Sequence, residues 1–181
     1  KKTEEALRKS EERFQLASKA AKDIIYDWDV ATKEVWFSEA YKEIFGYEER
    51  TVTFENWIKN IHPDDREKTI KHTDSIIYNS GEKWSCEYRI KRSDGEYAHI
   101  FDRGYVVRDY NGTPIRLIGT LMDLTERKLA EQKVKDNEEK FRSIINGLND
   151  IVTVIDTNGL IAYQNPSAYR VFGYTEDEMV G

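Results

Sequence analysis

The sequence predicts an α+β fold: a five-stranded antiparallel sheet with helices over one face, an N-terminal helix and a C-terminal connecting helix. Three observations lead there. Residues 83–92, 96–108 and 114–122 are long β-rich runs joined by Ser93-Asp94-Gly95 and Asn111-Gly112, the residue types of hairpin turns. Two shorter β-rich runs, 24–30 and 34–37, are separated by a short polar turn and followed by helical signals. Apolar residues at 3–4 spacing recur in 3–21 and again from 123 onward.

Taken in order, residues 3–21 carry Leu7, Phe14, Ala17 and Ala21 at helical spacing. Ser38 opens a short helix that Gly46 ends. Asp64-Asp65-Arg66-Glu67 follows Pro63 with capping-box spacing and opens a longer helix toward Ser80, with Gly81 as its stop. The three long strands then form an antiparallel meander.

A repeat sets the organisation. Glu11-Glu12-Arg13-Phe14 recurs as Glu138-Glu139-Lys140-Phe141, and Phe45-Gly46-Tyr47 as Phe172-Gly173-Tyr174, both 127 residues on. Laying 1–54 on 128–181 gives 12 identities, against about three from ordinary composition. The expected divisions are a flanking helix over 1–22, a complete core over 23–122, a connecting helix over 123–149 and the opening of a second core over 150–181. The offset makes the chain an expected excerpt from a longer array. In the second opening, Ile151, Val152, Val154, Ile155, Leu160 and Ile161 lack the meander strands that would cover them, so order there is expected to need a borrowed surface.

Composition narrows the function. The 181 residues hold 28 basic and 34 acidic side chains, a net charge of −6 with no basic stripe, which argues against nucleic acid or an anionic membrane as partner. A lone cysteine, Cys86, excludes an internal disulfide framework and a multi-cysteine metal site. No apolar run is long enough to span a membrane, and a cytoplasmic location is expected. The glycines mark turns and helix ends instead of phosphate loops, and no nucleophile elbow or zinc-helix motif is present, so no catalytic residue and no metal site is expected in this chain.

Several pieces in order, Tyr26-Asp27-Trp28-Asp29, Phe45-Gly46-Tyr47, Ile61-His62-Pro63-Asp64-Asp65, Glu87-Tyr88-Arg89-Ile90 and Gly119 through Asp123-Leu124-Thr125-Glu126-Arg127-Lys128, resemble the PAS domain family in its PAC-containing subtype. The resemblance covers 11–128 and the opening at 138–181, where Asn165-Pro166 also matches; at His99 the subtype commonly carries Trp. It implies a sensory module of a signal-transduction protein such as a sensor histidine kinase, with downstream PAS and kinase domains as partners. It also implies that Asp123, Thr125 and Arg127 lock the last strand to the following helix.

Candidate residues follow from pattern and resemblance together. Trp28, Trp84, Tyr88, Phe101 and Tyr105 alternate with polar residues along strands and either line a ligand cavity or fill it; Tyr41, Phe45 and Trp57 join them from the helices, with Asn56, Ser85 and Thr120 as polar anchors. A small-molecule ligand is compatible with this set. No cofactor is expected: His72 sits among polar neighbours, against haem, and Cys86 lies on a strand, outside the helix context of flavin-binding relatives. His62, Asp64 and Asp65 read as helix-start residues, not metal ligands. Arg127, Ala130, Val134, Asn137, Phe141, Ile144 and Leu148 follow a/d spacing, as Leu7 and Phe14 do earlier, and a homodimer through these flanking helices is expected. The alternative is a ligand-free dimerisation and spacer module.

Overall fold

A computed structural model of the chain describes residues 5–6, 8–9, 12–13, 16, 23–78 and 81–173. Positions 5, 6, 8, 9, 12, 13 and 16 are helical. The expected seam residues Leu7 and Phe14 lie outside the described residues, as does Ser80. The chain divides into two compact units, Lys1–Lys128 and Leu129–Gly181.

In the first unit the order is β1 (Ile24–Asp29), β2 (Glu34–Phe37), α1 (Ala40–Phe45), β3 (Thr51–Thr53), α2 (Phe54–Asn60), α3 (Pro63–Tyr78), β4 (Lys83–Lys91), β5 (Tyr97–Arg108) and β6 (Pro114–Asp123), followed by α4 (Thr125–Gly147). The strands form one antiparallel sheet in the order β3-β2-β1-β6-β5-β4. The expected five strands are present, and a sixth, β3, extends the edge beside β2. A three-residue strand with one half-buried position, Val52, carries too little alternation to register in the sequence.

Local chemistry explains where the helices start and stop. Gly46 ends α1 in the left-handed conformation at φ 75°, its N–H bonded to the Lys42 carbonyl. A Cβ at Gly46 would fall 2.2 Å from Ser93 Oγ, so the glycine also lets α1 dock on the β4–β5 turn. Thr53 caps α2 by accepting the Asn56 N–H. At the far end of α3, the Arg108 guanidinium donates to the carbonyls of Ile76, Ile77 and Gly81, satisfying acceptors that the helix leaves open.

One face of the sheet holds the core. Inward positions are Ile24, Tyr26 and Trp28 on β1, Tyr88 and Ile90 on β4, Ala98, Ile100, Asp102 and Val106 on β5, and Leu117 and Leu121 on β6. Phe37, Tyr41, Phe45 and Trp57 pack on them as an aromatic cluster, with Phe37 stacked on Tyr41 at 4.3 Å and Phe45 edge-on to Tyr41 at 5.5 Å.

Two glycines shape the middle of this face. Tyr26 pairs with Gly119, Gly119 with Gly104, and Gly104 with Trp84, making one row across β1, β6, β5 and β4. A Cβ on Gly119 would lie 2.6 Å from Tyr26 Oη and Cζ, and one on Gly104 2.9 Å from Trp84 Cη2. The two rings therefore lie over bare backbone, which only glycine provides.

The second unit contains the hairpin β7 (Thr153–Ile155) and β8 (Ile161–Gln164) and the helix α5 (Pro166–Phe172). Buried Asn165 holds it together: its Nδ2 donates to the carbonyls of Ile145 and Asp150, and its Oδ1 accepts the Val152 N–H. Several bonds repeat those of the first unit 127 residues earlier. Val152 N–H to Asn165 matches Ile25 N–H to Ser38 Oγ, and Gly173 N–H to the Tyr169 carbonyl matches Gly46 N–H to Lys42. Ile151, Val154, Ile155 and Leu160 are exposed.

Replacing Gly119 by Ala should destabilise the protein by about 1–3 kcal/mol, because the new methyl meets both the Tyr26 hydroxyl and the Arg103 carbonyl. Gly147→Ala, where nothing lies within 4 Å, is the control and should be neutral or slightly stabilising. Denaturant midpoints of the two variants measure the difference.

Candidate functional site

The inward face of β5 carries one carboxylate, Asp102, between Ile100 and Gly104. Three aromatic side chains donate to it. The Tyr26 hydroxyl donates a hydrogen bond to Oδ1 at 2.9 Å, the Trp84 indole N–H to the same oxygen at 3.3 Å, and the Tyr88 hydroxyl to Oδ2 at 3.0 Å. The strand register explains the convergence. Cys86 stands directly opposite Asp102 on β4, so Trp84 and Tyr88 are its two diagonal neighbours, while Tyr26 reaches across Gly119 from β1.

Burial dominates the electrostatics here. It pushes the Asp102 carboxyl up to about 6, although the hydrogen bonds from Tyr26, Tyr88 and Trp84 pull the other way. Burial first, then the Asp102 charge, raises the Tyr26 and Tyr88 hydroxyls well above the usual tyrosine value. The Cys86 thiol is pushed up to about 12 by burial and then by Asp102, which makes it inert as a nucleophile.

Asp102 borders a cavity of about 40 Å³ between the sheet and the helices. Trp28, Trp57, Trp84 and Tyr88, named from the sequence, line it together with Tyr26, Phe37, Phe54, Thr69 and Thr73. Trp28 stacks on Phe54 at 4.0 Å, and its buried indole N–H has no partner among the described residues. Tyr41 and Phe45 are buried in the aromatic cluster behind Phe37 and do not line the cavity.

The remaining expected pocket residues stand elsewhere. Phe101 and Tyr105 lie on the opposite sheet face, because successive strand residues alternate and Asp102, Gly104 and Val106 take the inward parity. Ser85 and Thr120 share that outer face by the same rule, and Asn56 is exposed on α2. Sequence reasoning missed Asp102, because both parities of β5 carry large apolar residues and the alternation alone does not say which one faces inward.

The strand-to-helix junction is a second cluster. Thr125 Oγ1 accepts the His99 N–H at 3.0 Å, and the Leu124 N–H donates to the His99 carbonyl at 2.8 Å. Asp123 Oδ1 accepts the Thr125 N–H at 2.8 Å, while its Oδ2 takes the Arg92 guanidinium at 2.5 Å. Arg92, at the β4–β5 turn, thus supplies a guanidinium to Asp123; Arg127 is exposed on α4. Lys128 pairs with Glu87 on β4 at 3.0 Å.

The helix-start carboxylates also act differently from a simple cap. His62 Nδ1 accepts the Asp64 N–H, whereas Asp65 clamps Arg89 through Nε at 2.8 Å, a second guanidinium nitrogen at 2.9 Å and the backbone N–H at 2.9 Å. Hydrogen bonding by the Arg89 guanidinium holds the Asp65 carboxyl below its usual range. His72 is half-buried with Nε2 3.1 Å from the Ser85 carbonyl oxygen. Among the described residues no group of three or more His, Cys, Asp or Glu could hold a metal.

Along α4, Ala130, Val134, Asn137, Phe141 and Ile144 are exposed. Leu148 follows the last helical residue, Gly147, and the buried position of this stretch is Ile145. No described helix is long and apolar enough to cross a membrane.

Between pH 3.8 and about 6, folded Asp102 retains a proton that an unfolded chain would release. Its contribution to stability therefore falls as pH rises through that window, by roughly 3 kcal/mol for two pH units at 1.36 kcal/mol each. Asp65 acts with opposite sign, losing stability as pH falls through its lowered value. Denaturation free energies at pH 4 and 7 should show the decline in wild type, and Asp102→Asn should remove it.

Two family profiles, both described as PAS fold, match residues 34–121 and 139–181. The sensor protein FixL of Bradyrhizobium diazoefficiens is 26% identical over 157 residues, 86% of this chain and 31% of FixL. The probable diguanylate cyclase DgcE of Escherichia coli is 26% identical over 185 residues, all of this chain and 16% of DgcE. The chain thus spans between a sixth and a third of the length of these two relatives. A crystal structure of a sensory box histidine kinase/response regulator from Burkholderia thailandensis matches at TM-score 0.60 and 30% identity, over 72% of this chain and 98% of that one. The chain belongs to the PAS family of sensory domains, found in signal-transduction proteins such as histidine kinases and diguanylate cyclases.

Proposed function

We propose that residues 23–122 form a sensory module that takes a small ligand in the Asp102 cavity and relays its state through α4 to following PAS and output domains, those of a cytoplasmic sensor histidine kinase. The observation that carries this reading is the spacing along β5. Asp102 is three residues from His99, whose N–H and C=O hold Thr125 and Leu124, and Ile100 pairs directly with Asp123. A change in the hydrogen bonds at Asp102 therefore acts on the strand that seats the start of α4. The exposed Val134, Phe141 and Ile144 supply a seam through which a homodimer would receive that change.

The second reading is a ligand-free dimerisation and spacer module. A cavity with room for about three waters, well below the usual volume of a drug-sized ligand site, favours it. Native mass spectrometry of the purified chain separates the two. A dimer carrying a discrete small-molecule mass is the expected result; a dimer of bare chains would support the spacer, and a monomer would sink the seam.

The coupling role has its own test. Asp123→Ala combined with Thr125→Val should cost about 1–3 kcal/mol through loss of the bonds to Arg92 and His99. In the full-length parent the same pair should blunt the output response to stimulus. An unchanged response in a folded variant would leave the cluster a helix start and nothing more.

A further inference from the structure

The polar groups in the cavity wall are unbalanced, and the imbalance is selective. Asp102 receives two protons on Oδ1 and one on Oδ2, so Oδ2 keeps a free lone-pair position out of the roughly four that a carboxylate offers. Thr69 and Thr73 give their hydroxyl protons to the carbonyls of Asp65 and Thr69 at 2.8 and 2.9 Å. Towards any other group these two hydroxyls present lone pairs only. The lining side chains thus offer acceptors at Asp102, Thr69 and Thr73 and at the oxygens of the Tyr26 and Tyr88 hydroxyls, against one buried donor without a partner, the Trp28 indole N–H.

Charge points the same way. The lining includes one carboxylate and no Lys, Arg or His. The rings of Trp28, Phe54 and Trp57 border the same space, and aromatic faces attract cations. An anion would meet Asp102 without a counter-charge. An apolar guest would leave both the carboxylate charge and the Trp28 N–H unmatched.

The geometry points to a short primary ammonium compound carrying a hydroxyl or carbonyl oxygen as the ligand of this cavity, an assignment that rests on the sensory reading above and gives it a chemical class. An ammonium head has three N–H donors to offer a wall whose free polar groups, the Trp28 N–H apart, are acceptors, Asp102 first among them. The oxygen at its other end accepts the Trp28 N–H. Space for about three waters limits such a ligand to roughly four heavy atoms. The bound cation also offsets the cost of a buried carboxylate, so occupancy is felt at Asp102, on the strand that seats α4.

Calorimetric titration of the whole chain with ethanolamine tests the assignment, with propan-1-ol, propan-1-amine and glycolate as probes of similar size. Ethanolamine should bind saturably and at least tenfold more tightly than propan-1-ol or glycolate, and Asp102→Asn should weaken it at least tenfold. Trp28→Phe keeps the ring stacked on Phe54 and serves if the Asn variant does not fold. It should abolish the advantage of ethanolamine over propan-1-amine while leaving propan-1-amine unchanged. Equal or tighter binding of glycolate or propan-1-ol overturns the ammonium assignment and leaves the sensory reading standing. The same holds if none of the four binds and native mass spectrometry finds a different small molecule. If no probe binds and no molecule is found, both readings fall.

Discussion

A buried carboxylate held by three aromatic donors is the constraint on which the rest of the sheet depends. Asp102 cannot sit inside the core unless its oxygens are satisfied, and the only donors in reach are Tyr26, Trp84 and Tyr88 among the described residues. Their rings are too large for a normally filled sheet face. The paired glycines at 104 and 119 remove the two side chains that would block them, and Cys86 keeps the position opposite Asp102 small. Charge, donors and bare backbone form one device spread over β1, β4, β5 and β6, and the cavity is the space it leaves against α2 and α3.

The same strand carries the second cluster. β5 has Asp102 on its inner face and His99 near its start, where the backbone of His99 holds Leu124 and Thr125. Arg92 adds a tether from the β4–β5 turn to Asp123, and Ser93 in that turn meets α1 through its N–H to the Phe45 carbonyl. The first turn of α4 is therefore seated by β5 on one side and by a turn that touches the aromatic cluster on the other. In a packed interior such contacts shift between discrete arrangements and do not stretch smoothly, a property that the proposed relay requires.

Much of this was legible in the sequence. Hairpin residues fixed the meander, Gly46 marked the end of α1, and Asp123 and Thr125 stood out at the junction. Four side chains of the cavity wall, Trp28, Trp57, Trp84 and Tyr88, were also visible. The parity of β5 was not: Phe101, Tyr105 and Val107 make the outer face look like the core, while the true inner face includes Ala98, Asp102 and Gly104, which carry little apolar signal. Long-range partners were equally hidden. Nothing local marks Arg92, 31 residues before Asp123, as a partner of that carboxylate, and Asp65 looked like a cap because its clamp on Arg89 lies 24 residues away. Sequence pattern reports the face a residue takes more readily than the partner it meets there.

If the Asp102 cage and the seat of α4 are parts of one unit, loosening the cage loosens the seat, and backbone hydrogen exchange in wild type and Asp102→Asn tests this most directly. The account predicts faster exchange at the amides of His99, Leu124, Thr125 and Lys128 as well as in β1 and β4, with the β7–β8 hairpin unchanged. Faster exchange confined to the neighbours of residue 102, with 123–128 as protected as before, would contradict it.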